Sequence, residues 1–238
     1  MSMRPVPSLS LDPHASKATA EGLARRALLK GLPALALGSG TWLAAPSQAH
    51  AGGQLEEPLI DSVRTALTSA VANQAPPEPE FATTEARLYY LRWLGTMSDR
   101  LRRRKPDWEV RRDFLQTVWY EAKRAGLDVS LVMGLIQVES AFRKFAVSSV
   151  GARGYMQVMP FWTRVIGDGD AGKLFHMQTN LRFGCVILRH YLDRERGDLF
   201  MALGRYNGSR GRSPYPDAVF SAQRGWHFPP PMLTASAG

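Results

Sequence analysis

Glu139 sits near the end of the run "GLIQVESAF", residues 134–142, with Leu135, Ile136 and Val138 before it and Ser140 after it. A carboxyl at the end of so apolar a segment is partly desolvated, which disfavours its charged form and raises its pKa. An acid that keeps its proton near neutrality is what general acid catalysis needs. The same residue can also be read as the ion-pair partner of an arginine, with Arg143 and Arg153 both close in sequence. Composition alone leaves both readings standing.

The following stretch, "FAVSSVGARGYMQVMP", contains Gly151 and Gly154, which permit close backbone approach and unusual torsions. Gln157 then brings an amide back towards the helix end, Met156 and Met159 add soft apolar contacts, and Pro160 closes the segment. Asp168 and Asp170, in "GDGD", are the nearest candidates for a second acid, but the spacing reads as a capped turn and forms no calcium loop. The single cysteine, Cys185, excludes an internal disulfide and a Cys-rich metal site; among apolar neighbours it reads as a small core residue. No metal site and no cofactor are expected.

These groups need helices to hold them. Leu131, Val132, Met133, Leu135, Ile136 and Val138 make their helix apolar almost all round, as in a central element of a domain, and Asp128 or Ser130 can cap it. Ahead of it, Leu88, Leu91, Leu94 and Met97 mark one helix, trailed by the basic "RLRRRK", a solvated helix end. Trp108, Phe114, Val118 and Ala122 mark the apolar side of another, with Gly126 as its C-cap. Beyond the loop, Leu181, Cys185, Leu188 and Leu192 share a face, with Arg182 and Arg189 off it; "DLFMALGRYN" forms a shorter helix. No period-two segment stands out, so the fold is expected to be all-α.

The chain has 238 residues, 45% of them hydrophobic, with a formal charge of +9. Basic charge favours anionic surfaces of any kind and selects no single one. Residues 1–51 read as an export signal: "LARRALLKG", then an uncharged apolar run, then "SQAHA" with Ala49 and Ala51 as the small residues at the cut. Arg25-Arg26 resembles a twin-arginine signal. The apolar run is too short and too rich in Gly and Pro to span a membrane stably. Residues 52–82 read as linker and a short helix, with Leu59, Val63, Leu67 and Val71 on one face. The main domain is expected over 83–226 and a loose tail over 227–238.

Three motifs, in order, carry a family resemblance: Glu139-Ser140 followed by Phe142; Gly151-Ala152-Arg153-Gly154-Tyr155-Met156-Gln157; and Ala202-Leu203-Gly204-Arg205-Tyr206-Asn207. Asn180, Gly184 and Tyr191-Leu192 fit between them. Roughly from residue 107 to 220 the chain resembles the soluble-type lytic transglycosylases (SLT domain), related in fold to goose-type lysozyme, with Tyr155 in place of the usual Leu. The resemblance implies a lysozyme-like helical domain that cleaves the β-1,4 bond between N-acetylmuramic acid and N-acetylglucosamine of peptidoglycan. It implies Glu139 as the single catalytic acid, and Ser140, Met156, Gln157, Tyr206 and Asn207 as substrate-binding residues. A hydrolytic muramidase and a non-catalytic wall-binding protein share these features. The partners expected are peptidoglycan glycan strands rather than nucleic acid or a stably held membrane, for a periplasmic monomer.

Overall fold

The computed structural model describes residues 53–59, 61–72 and 79–230. The expected export signal, residues 52, 60 and 73–78 of the expected linker and short helix, and residues 231–238 of the tail lie outside the described residues. Among the described residues eight α-helices follow in order: α1 (Asp61–Ala72), α2 (Thr84–Leu101), α3 (Trp108–Arg124), α4 (Val129–Ser140), α5 (Phe161–Ile166), α6 (Met177–Arg194), α7 (Leu199–Asn207) and α8 (Pro214–Arg224). A 3₁₀ helix, Ala171–Phe175, stands between α5 and α6. Among the described residues the only β pairing is two isolated antiparallel bridges, Val147 to Arg153 and Arg153 to Val158, so the fold is all-α.

Acidic caps start several of these helices. The side chains of Asp107, Asp128 and Asp198 accept hydrogen bonds from the amides of Val110, Leu131 and Met201, satisfying donors that the helix leaves open. Asp170 does the same for Gly172 at the start of the 3₁₀ helix, and Asp168 accepts from the Asp170 amide and pairs with Lys173. The two aspartates are therefore capping residues of an exposed turn, as their spacing suggested.

Helix α4 is the centre of the domain. Leu131, Val132, Met133, Leu135 and Ile136 are all buried, and α8 runs antiparallel against it. Gly134 makes that contact tight: a Cβ there would come within 2.7 Å of the Gln223 backbone nitrogen. The consequence is that α8 delivers Tyr215 to the C-terminal end of α4.

Some faces differ from the sequence expectation. On α2 the buried stripe is Tyr90, Trp93, Leu94, Met97 and Leu101, while Leu88 and Leu91 are exposed. The three-residue spacing of leucines drifts off a true helical face, and the aromatic side chains, with Trp93 and Trp119 ring centroids 4.6 Å apart, decide which side is buried. Trp108 is likewise exposed, with the Arg111 guanidinium over its ring. Arg182 is buried on α6, donating to Glu121 of α3 at 2.8 and 3.1 Å. Lys105, at the end of the basic run, is buried too: its ammonium donates to the Tyr155 hydroxyl at 2.7 Å and lies over the Phe114 ring. Burial, with Lys144 nearby, lowers its pKa to about 8. At the C-terminal end Phe228 packs on Tyr89, so residues 227–230 are held against the body.

Candidate active site

Helix α4 carries Glu139 inward on its last turn, where it is 4% exposed. Neither expected arginine reaches it: Arg143 donates to the Ser140 carbonyl and Arg153 to the Ala171 carbonyl. Instead Oε1 accepts a hydrogen bond from the Tyr215 hydroxyl, and Oε2 is buried with no hydrogen-bond partner among the described residues. Burial pushes the Glu139 carboxyl up to about 8, with the Tyr215 bond pulling weakly the other way. No other carboxylate contributes to that shift. The arrangement keeps a neutral acid with one oxygen fixed and the other free to donate.

The backbone beyond Glu139 is bent sharply. Ala141 and Phe142 adopt positive φ values of 49° and 65°, and Gln157 adopts 48°. Such torsions cost free energy for residues with a Cβ and persist only where the surroundings impose them. Here Phe142 is clamped between the rings of Phe114 and Trp226, at centroid distances of 6.0 and 5.2 Å.

The expected binding residues divide into braces and site-facing groups. Ser140 is 1% exposed; its hydroxyl lies 2.7 Å from the Tyr155 carbonyl and 3.1 Å from that of Ile136, tying the helix end to the loop. The Gln157 amide donates to the carbonyls of Gly154 and Ala146 at 2.9 and 3.1 Å, closing the loop on itself. Met156 is fully buried against Gly184, where a Cβ would come within 2.3 Å of its sulfur. Asn180 accepts from the Met156 amide and donates to the carbonyls of Arg153 and Leu174, each at 2.8 Å. Tyr206, also fully buried, donates its hydroxyl to the Met156 carbonyl at 2.8 Å, and its pKa is raised chiefly by burial and then by the Glu139 charge. Asn207 donates to Ser209, and its side-chain oxygen has no partner among the described residues. Ser140 ties the end of α4 to the loop through Tyr155, Tyr206 reaches the same loop at Met156, and Ser140, Met156, Gln157 and Tyr206 are all turned into the protein.

Two residues near this site carried no signal in the motifs. Tyr215, 76 positions from Glu139, fixes the acid. Gln54, far upstream, lies buried on the Gln157–Met159 backbone. Tyr215 and Val219 do share a helix face at i, i+4, the one sequence feature that could have pointed inward.

A buried lone carboxyl on a helix end, braced by a glycine-bearing loop in an all-helical frame, agrees with what the family comparison finds. Residues 116–219 match the transglycosylase SLT domain model. Among curated relatives, a transglycosylase of Enterobacteria phage PRD1 is 34% identical over 98 residues, covering 41% of this chain and 36% of its own. Membrane-bound lytic murein transglycosylase C of Actinobacillus pleuropneumoniae is 51% identical over 89 residues (34% of this chain, 24% of the relative). The protein of that name from Haemophilus influenzae is 45% identical over 119 residues (43% and 33%). The chain therefore spans about a quarter to a third of the length of these relatives. No described helix is long and apolar enough to cross a membrane.

Proposed function

We propose that this protein is a peptidoglycan lytic transglycosylase that cleaves the β-1,4 bond between N-acetylmuramic acid and N-acetylglucosamine, and that it acts after export, in the periplasm. One observation carries the reading: a buried carboxyl with no cation beside it, protonated up to about pH 8, with Oε1 held by Tyr215 and Oε2 without a partner among the described residues.

The chemistry follows from that geometry. Glu139 donates the proton on Oε2 to the glycosidic oxygen as the bond to C1 of the muramoyl unit breaks, and the bonding pair leaves with that oxygen. The substrate's own acetamido carbonyl supports the cationic C1, so a second carboxylate is dispensable. The Glu139 carboxylate then takes the proton of the muramoyl 6-hydroxyl while O6 closes on C1. The acid is regenerated, no water is consumed, and the product ends in a 1,6-anhydro ring. Ser140, Gln157, Met156 and Tyr206 brace the helix end and the loop, which leaves Asn207, whose side-chain oxygen has no partner among the described residues, as the one to bind substrate.

Mass spectrometry of the muropeptides released from purified peptidoglycan tests this. Anhydromuramoyl ends from the unaltered chain, lost on Glu139→Gln, are expected. Reducing ends would replace the reading with hydrolysis by the same acid, and binding without release would make this a wall-binding protein.

A further inference from the structure

Residues 53–59 lie outside the matched SLT span and the first of them, 53–56, read in sequence as linker, yet the segment runs without helix over the loop around Gln157 and Met159. Gln54 is 3% exposed, and its side-chain amide bridges two backbone groups of that loop. Its oxygen accepts from the Met159 amide at 3.3 Å and its nitrogen lies 3.5 Å from the Gln157 carbonyl. Gly53 passes so close to α7 that a Cβ on it would stand 2.3 Å from the Asn207 carbonyl oxygen. Further along, Glu57 pairs with Arg194 and, at 3.0 Å, with Arg205.

Two features separate this segment from a structural strand. Both Gln54 contacts with the loop backbone sit at the long end of hydrogen-bond distances, where the interaction is weak. Residues 53–59 also make no backbone–backbone hydrogen bonds with the other described residues. The ionic anchor at Glu57 is stronger and lies at the far end, so Gly53 and Gln54 can lift while the rest stays attached.

The Gln54 side chain ends in a carboxamide, which has the same acceptor and donor as an acetamido group. A peptidoglycan strand carries an acetamido group on every sugar. We propose that residues 53–59 form an autoinhibitory strap, with the Gln54 carboxamide seated where a substrate acetamido group binds between the Met159 amide and the Gln157 carbonyl. This rests on the proposed activity. A glycan strand enters only as Gly53 and Gln54 leave, so substrate binding competes with the strap.

The test compares the full chain with its Gln54→Ala variant. Steady-state release from solubilised peptidoglycan is expected to show KM lower by about three- to tenfold at unchanged kcat, the effect of removing weak hydrogen bonds from a competitor. Affinity for N-acetylglucosamine tetramer, measured by calorimetry, is expected to tighten by the same factor. Hydrogen exchange at the Met159 amide is expected to quicken in Gln54→Ala and to slow again when the tetramer is added. A higher KM or lower kcat in the variant would make Gln54 a substrate-binding residue and overturn the strap. Unchanged KM and Met159 exchange, while the unaltered chain still releases anhydromuropeptides, would overturn the strap alone. No release and no tetramer binding by either protein would remove the proposed activity and the strap with it.

Discussion

Two glutamates are buried in this domain, and their surroundings could hardly differ more. Glu121 on α3 is 1% exposed and has the Arg182 guanidinium on Oε1 at 2.8 Å and Arg124 3.6 Å from Oε2. Glu139 on α4 is 4% exposed and faces only a tyrosine hydroxyl and its own unpartnered oxygen. Burying a charge is costly unless it is paired, so the first site holds an ion pair and the second holds a neutral acid. Depth alone does not make a carboxyl reactive. What sets Glu139 apart is that no cation was placed beside it.

That contrast can be broken at either end. The largest effect expected is on activity: Glu139→Gln should reduce peptidoglycan cleavage by about 10²–10⁴-fold, the share general acid catalysis supplies, with the helical circular dichroism spectrum unchanged. Glu121→Ala should do the reverse. It strips the buried Arg182 of its carboxylate and should cost about 3–5 kcal/mol in urea unfolding, with kcat of the folded protein retained.

The pH response sharpens the comparison further. Folding keeps Glu139 protonated up to about 8, whereas in the unfolded chain it ionises near its ordinary 4.5. The native state therefore binds the extra proton across that interval, and stability falls as pH rises through it. Measured by urea unfolding between pH 4.5 and 8, the unaltered chain should lose roughly 3–5 kcal/mol relative to Glu139→Gln. Cleavage should decline above about pH 8, as the acid loses its proton. The smallest effect belongs to Tyr215→Phe. Loss of its hydrogen bond, which favours the carboxylate, should move that alkaline limb to higher pH and lower kcat by about tenfold.

Much of this was legible because local chemistry and tertiary role coincide. The all-round apolar character of α4 marked it as central, and Glu139 at its end stood out as the candidate acid. Gly151 and Gly154 announced unusual torsions, while Gln157, expected to reach back towards the helix end, bonds the loop's own carbonyls instead. The rest depended on partners far away in sequence. Nothing in "RSPYPDA" shows that Tyr215 meets Glu139, because antiparallel packing of α8 on α4 brings them together. Arg182 reads as an off-face residue until Glu121 arrives from α3. Lys105 reads as a solvated charge until Tyr155 offers its hydroxyl. Gln54 sits among residues whose composition says linker, and only the exposed backbone groups of the loop give it a place to dock.

The left-handed turn at Ala141 and Phe142 bears on how this protein can be engineered. Glycine would suit the φ of 49° at Ala141 better than alanine does. Yet the residue follows Glu139-Ser140 directly, and a glycine there frees the chain to leave the conformation that aims the acid. Thermal robustness and accuracy of placement are traded against each other at one methyl group, so a selection for heat tolerance alone would erode this site from its edge.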